Sequence, residues 1–378
     1  MPSSDPTRHL LLGLFLLGLL LAGCGDPGEA PRLGDWTLET DALTLNRDLQ
    51  VSETDTYFLG AVQDLAVTSE GRMIVLDSEF RHLKVLRPDG TLLDTLGRQG
   101  RGPGEFRRPT TLDIARGDSI YVFDTLQNRL TVFPPPPSPE RARSVVLTRE
   151  GGNPTHVRVL GDRLVARFTP GYTRAEGLRE PSPNPWRLVR ERGVPEDSLL
   201  TERRRKVATS FEGPGAAIDY LPFGRETLVA VGPDARLYNG WTDRLRIHAT
   251  SLEGSTEVVA AVPADPVPVT ETERDAALAD VVAELRGPIG EAVPETKPAF
   301  TDLVVADDGR LWVRRPPAGP DADTTAWWRL DPAEKTIQTV QVSTDLTLEV
   351  VQNGYAYGTT TTAAGAPALV RYRVRDAS

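Results

Sequence analysis

Short runs of β-branched and aliphatic residues, broken every few positions by a Gly-containing turn, recur along most of this chain. Residues 64–86 read DLAVTSEGRMIVLDSEFRHLKVL, and 47 positions later residues 111–133 read TLDIARGDSIYVFDTLQNRLTVF. Val67 falls on Ile114, Val75 on Val122, Asp77 on Asp124 and Val85 on Val132. Apolar runs this short, bounded by Gly, Asp and Asn, predict strands rather than helices. A period of 40–50 residues containing three or four strands is the pattern of a propeller blade.

The pattern recurs downstream. Residues 302–313 (DLVVADDGRLWV) match residues 64–75 (DLAVTSEGRMIV), with hairpin turns at Asp308-Gly309 and Glu70-Gly71. Third strands follow at Leu83–Val85 and Trp327–Leu330. Looser copies occur at 156–166 around Gly161-Asp162, at 228–247 around Pro233-Asp234, and at 348–357 around Asn353-Gly354. Six units result. The sixth lacks a strand before the chain stops at Ser378, and the segment Trp36 to Val51 contains strand-like runs belonging to no complete unit. An N-terminal strand closing the last blade satisfies both ends and hides an open edge. The expectation is an all-β, six-bladed β-propeller of four-stranded blades over residues 35–378, with one helical insertion.

Three insertions interrupt the strands. Pro134 to Pro139 (PPPPSP) reads as a stiff extended spacer. Thr169 to Pro185 reads as a long loop within the third unit. Residues 270–286 form the one clear helical pattern. There Leu278, Val281, Val282 and Leu285 share a face, Thr270 or Thr272 is placed to cap, and Gly287 is placed to end it.

The first 23 residues carry targeting chemistry. Arg8 precedes Leu10 to Leu21, an unbroken run of Leu, Gly and Phe, too short for the roughly 20 residues a bilayer span needs. The run closes on Leu21-Ala22-Gly23-Cys24, which resembles the bacterial lipobox. That resemblance implies cleavage after residue 23 and acylation of Cys24, the only cysteine in the chain. Residues 24–34 then form a Gly/Pro-containing tether. Gly25 stands where an inner-membrane retention signal would place Asp, which points to the outer membrane, facing the periplasm.

Composition narrows the partners. The net charge of −10 argues against nucleic acid, whose phosphates need clustered positive charge. Nearly all the cations are Arg; Lys84, Lys206, Lys297 and Lys335 are the only lysines. Of four histidines, His82, His156 and His248 lie outside the signal, in different units, so neither a paired-His metal site nor a Ser-His-Asp arrangement has motif support.

The glycine run Gly97 to Gly104 has the look of a phosphate loop but leads into a strand, not a helix N-terminus. Gly102-Pro103-Gly104-Glu105-Phe106 with Pro109 resembles instead the inter-blade linker of NHL-repeat propellers. The strand ends Val75-Leu76-Asp77 and Val122-Phe123-Asp124, with Asn128-Arg129, are similar to the same family. The detailed likeness spans about residues 60–135, with an echo at 302–330. It implies that Asp77 and Asp124 bond backbone across their blades.

Antiparallel strand order puts the inter-blade linkers and the loops between second and third strands on one face. Asp77, Arg81, Arg98, Arg101, Arg107, Arg108, Asp124, Asn128 and Arg129 gather there, an Arg-rich sector suited to carboxylate or phosphate. Arg203-Arg204-Arg205-Lys206 is a second basic run. The resulting expectation is a monomeric, lipid-anchored, non-enzymatic module without cofactor, contacting the membrane through Cys24. Its loop face would bind a protein, peptide or glycan. The alternative is a metal-dependent hydrolase or lyase of the gluconolactonase-like propeller type. Its relatives hold metal through carboxylates and amides of the innermost strands, where Asp64 and Asp302 stand here and Thr111 replaces the acid in the second unit.

Overall fold

A computed structural model describes residues 32–39, 43–52, 57–136, 142–171, 175–190, 192–211 and 216–376. The expected signal, Cys24 and most of the tether lie outside the described residues, as does part of the proline spacer.

Six sheets are built from successive antiparallel strands. Blade 1 comprises Val62–Val67, Met73–Asp77, His82–Leu86 and Leu92–Leu96. Blade 2 repeats it with Pro109–Ile114, Ile120–Asp124, Arg129–Phe133 and Arg143–Val146. Blades 3, 4 and 5 begin at Asn153–Leu160, Thr227–Val231 and Asp302–Val305. Blade 6 comprises Thr347–Gln352, Tyr355–Thr361 and Pro367–Asp376. Each innermost strand packs on the next, and that of blade 6 packs on that of blade 1, so the sheets close a ring. The fold is a β-propeller.

Burial explains why the strongest strands show no alternation. In Met73–Asp77 every side chain is buried. Met73 and Val75 enter the cluster shared with blade 6, including Tyr357 and Leu369, while Ile74 and Leu76 pack against Leu112, Ile120 and Val122 of blade 2. A middle strand of a propeller has a sheet on either side, so both its faces must be apolar. The same division recurs around the ring. Phe123 and Leu130 meet Val157 and Ala166, and Trp312 and Trp327 meet Leu348 and Ala356.

The N-terminal segment closes the ring. Leu43–Val51 pairs antiparallel with Pro367–Asp376 and supplies the fourth strand of blade 6. Trp36–Glu39 takes a different place: it adds in parallel to the outer strand of blade 5, Thr336–Ser343, with Arg32–Leu33 beyond it. At Asn353-Gly354 both residues are left-handed (φ +53° and +76°), the conformation that matches a two-residue hairpin to strand twist.

Two expectations are corrected. The helical insertion is a pair, α1 (Glu271–Ala279) and α2 (Ala283–Ala292). Thr270 caps α1 through a capping box with Glu273, but the chain turns at Asp280–Val282, and Gly287 lies inside α2. The break lets Leu285 and Ile289 bury against Ala208 and Leu221 while α1, with no buried residue, stays outside. The stretch 169–185 is also more than a loop, because Gly177–Arg179 pairs with Val207–Ser210. That strand in turn pairs with Ala217–Tyr220, forming a satellite sheet under α2.

Candidate functional site

The Arg-rich face resolves into a structural frame and an open pocket. Asp77 and Asp124 are fully buried. Asp77 accepts hydrogen bonds from the N–H groups of Gly60 (3.0 Å), Ala61 (3.4 Å) and Phe80 (3.2 Å) and from Lys84 Nζ (2.7 Å). Burial alone would push its carboxyl up, but the Lys84 and backbone bonds outweigh this and hold it below the usual range. Asp124 does the same in blade 2, accepting from the N–H groups of Arg107 (2.5 Å), Arg108 (2.9 Å) and Gln127 (2.9 Å). These carboxylates clip the incoming linker to the blade. They do not face a ligand, which corrects their place among the binding residues.

Three more expected residues belong to this frame. Arg129 donates to the carbonyls of Arg101 and Glu105, both at 2.7 Å. Arg98 pairs with Glu105 (2.8 Å), whose other oxygen accepts from the N–H groups of Arg101 and Gly102. Asn128 is buried and left-handed (φ +49°), closing the turn after Asp124. Arg81 occupies the equivalent position after Asp77 with φ +56°. Asn or Gly would fit that conformation with less strain than Arg.

Arg81, Arg101 and Arg107 line one pocket of about 340 Å³ with Gln99, Gly100 and Leu126. Among the described residues no carboxylate or other side-chain partner engages these three guanidinium groups. Leu126 in this lining is 50% exposed, and Phe80 (43%), next to Arg81 in the chain, meets Phe58 (42%) edge-on at 6.1 Å. His82 stacks beneath Phe80 at 5.7 Å and lies 2.9 Å from Lys84; burial first, and the Lys84 charge second, hold its imidazole below the ordinary value. The second basic run makes no comparable surface. Arg203 stacks on Trp241 (3.9 Å) and Arg205 pairs with Glu226 (3.0 Å).

A larger cavity, about 690 Å³, fills the centre of the ring. Its lining runs from Asp64, Asp113, Arg158, Asp302 and Glu349 on the innermost strands down to the hairpin turns at Ser69, Asp118, Gly161, Pro233 and Asp307. The funnel therefore opens on the face opposite the Arg pocket. Adjacent turns tie its rim: Ser69 donates to Asp118 through N–H (2.8 Å) and hydroxyl (2.7 Å), and Asn353 N–H donates to Asp307 (2.8 Å).

Arg158 is the anchor of the funnel floor. Its Nη1 donates to Asp64 (3.0 Å) and to the Leu112 carbonyl (2.7 Å), while Asp64 also accepts from Leu112 N–H (2.8 Å). Asp113 accepts from the N–H groups of Val159 (2.7 Å) and Ile114 (2.8 Å). Burial still pushes the Asp113 carboxyl up, with Arg158 only partly offsetting it. Asp302 has one bond, from Leu303 N–H (2.9 Å), and burial pushes it up to about 6. Glu349 has no hydrogen-bond partner among the described residues; burial, then repulsion from Asp64 and Asp302, pushes it up to about 7. The sequence pointed to Asp64 and Asp302. It missed Asp113, Arg158 and Glu349, because these lie in three different blades and only ring closure brings them together. Among the described residues no three His, Cys, Asp or Glu side chains stand close enough to hold a metal ion. Asp64 and Asp302, the acids expected in the gluconolactonase-like alternative, are thus not joined there by a third such side chain.

With this geometry in view, comparison with known proteins agrees on architecture. A family model described as a 6-bladed beta-propeller (DUF5128) matches residues 49–134. A search of curated protein sequences found no match. Among solved structures, a DUF4221-family protein of Bacteroides vulgatus is similar at 9% identity and a TM-score of 0.52, over 90% of this chain and all of that one. A protein of Bacteroides fragilis described as exported is similar at 11% identity and a TM-score of 0.51, again over 90% of this chain and all of the other. A gluconolactonase of Xanthomonas campestris overlaps at 14% identity and a TM-score of 0.40, over 91% of each chain. At these identities the likeness is one of fold.

Proposed function

We propose that this protein is a non-catalytic binding module of the bacterial envelope, held to the membrane through acylated Cys24. Its linker face grips an acidic segment of a protein or peptide that also carries an apolar side chain. The observation that carries the reading is the pocket of Arg81, Arg101 and Arg107, three guanidinium groups without side-chain partners in a protein of net charge −10. A guanidinium fork bonds carboxylate bidentately. Phe58, Phe80 and Leu126 beside it give an apolar neighbour the contact that exposed aromatic anchors favour at interfaces. Envelope placement is supported by the apolar N-terminal run ending at Cys24, and by an exported protein among the structural neighbours. No helix among the described residues is long and apolar enough to cross a membrane.

Selection of a random peptide display library on the full chain tests the reading. The expected consensus combines Asp or Glu with a Phe, Leu or Ile nearby, and the triple variant Arg81→Ala/Arg101→Ala/Arg107→Ala loses at least tenfold in affinity for it. Selected peptides without acidic residues, or undiminished binding by the triple variant, would overturn it. Anchoring has its own check: Cys24→Ser moves the protein from the membrane fraction to the soluble one.

A further inference from the structure

The central funnel has a size, a charge and a set of free acceptors that the linker-face reading does not use. Its floor sets four carboxylates against one guanidinium. Asp64 and Asp113 are spent on Arg158 and on backbone N–H groups. One oxygen of Asp302 and both of Glu349 have no partner among the described residues, and neither group is sealed away: both line an open cavity. Above the floor the lining is mixed: Ile114, Val231, Val305 and Val350 are partly exposed aliphatic side chains set among polar groups, while Leu65 and Val304 are buried in the core between blades.

We propose that the funnel is a binding site for a small organic amine, whose ammonium group sits between Asp302 and Glu349 and whose apolar body lies along the aliphatic side chains of the lining. A bare metal ion is the poorer fit, because the carboxylates are spread around a wide ring and no three converge. The cavity volume is that of a small-molecule site. An anion would meet a floor whose one cation, Arg158, is already neutralised, the lining's other arginine, Arg116, being exposed beside the turn at Asp118, and a neutral alcohol would leave the two desolvated carboxyls without counter-charge. The groups facing the ammonium are Asp64, Asp113, Arg158, Asp302 and Glu349 from five innermost strands. The blade 4 strand offers only uncharged Val229, Ala230 and Val231, the charge of Arg314 acts on Asp302, and Arg116, Asp118 and Asp307 line the cavity at the turns. Because burial, and for Glu349 also repulsion from Asp64 and Asp302, keeps the Asp302 and Glu349 carboxyls partly protonated near neutrality, the entering cation displaces protons from them.

The test is titration calorimetry of the full chain at pH 6.5 with n-hexylamine, hexan-1-ol, sodium hexanoate and calcium chloride, in two buffers of different ionisation heat. Hexylammonium should bind one to one, at least tenfold tighter than any of the other three. Its apparent heat should differ between buffers by an amount showing proton release. Glu349→Gln and Asp302→Asn should each weaken it at least tenfold, and the double variant should abolish the proton release; a thermal melt confirms that these isosteric variants stay folded. Equal binding of amine and alcohol, tighter binding of calcium, or undiminished amine binding by the double variant each overturns the proposal. The Arg81/Arg101/Arg107 variant binds the amine normally, so the two sites fail or succeed separately.

Discussion

At the scale of single residues, a buried ion pair and an unpaired carboxyl have opposite consequences. Lys84 and Asp77 are nearly or completely enclosed, with side-chain exposures of 5% and 0%. Removing one partner strands the other in the core, so Asp77→Ala should cost about 3–5 kcal/mol in urea unfolding. A loss below about 1 kcal/mol would show that the clip to Gly60, Ala61 and Phe80 contributes little. Lys84→Met in the Asp77→Ala background should recover part of the loss by removing the stranded ammonium. Glu349 works in the other direction. Its folded carboxyl is pushed up to about 7 from an ordinary value of 4.5, so the folded state favours the protonated form. That favour is fully present below pH about 4.5 and is lost as pH rises through about 7. The wild type should therefore lose stability across this window by more than Glu349→Gln does. Parallel curves of melting temperature against pH would contradict the assignment.

At the scale of elements, the closing strand and the helical pair differ in how much depends on them. Leu43–Val51 covers the edge of Pro367–Asp376 and buries Leu43 and Val51 in the clusters on the two sides of blade 6. Deleting residues 32–52 should open the ring, expose a paired edge and drive aggregation, visible as loss of the wild-type elution peak in size-exclusion chromatography. The helical pair is a separate layer. Leu285→Ala should cost about 2–5 kcal/mol locally, read as faster hydrogen exchange confined to 271–292 and the satellite sheet, with blades 1 and 2 unchanged. Sequence periodicity found α1 and its cap at Thr270. It did not find the turn at Asp280–Val282, because the break is set by where Ala208 and Leu221 receive Leu285 and Ile289, not by a local breaker.

At the scale of the whole molecule, ring closure turns a repeat into two opposite faces with different chemistry. The linkers and second-to-third loops carry the open arginines, and the hairpin turns surround an acidic funnel. An acidic partner should therefore meet one face and a cationic ligand the other. Cross-linking of a selected acidic peptide should mark residues around Arg81, Arg101, Arg107 and Leu126 and leave the turns at Ser69, Asp118 and Asp307 unlabelled. Labelling at those turns would count against the division.

The chain's own pattern determined the strands, their turns, the repeating unit and the closing role of the N-terminal segment, because each rests on local rules. Short β-branched runs pair through tight turns, and Asn-Gly or Asp-Gly sets the hairpin. It also placed Arg81, Arg101 and Arg107 on one face, since antiparallel order alone assigns loops to sides. Only the tertiary structure separated those arginines from Asp77, Asp124, Asn128 and Arg129, whose polar groups are spent within the fold. Only it gathered Asp64, Asp113, Arg158, Asp302 and Glu349 from five blades into one floor. The reason is distance along the chain: a hydrogen bond to a neighbouring turn is legible in spacing, whereas charges 45 to 285 residues apart meet only when the ring closes.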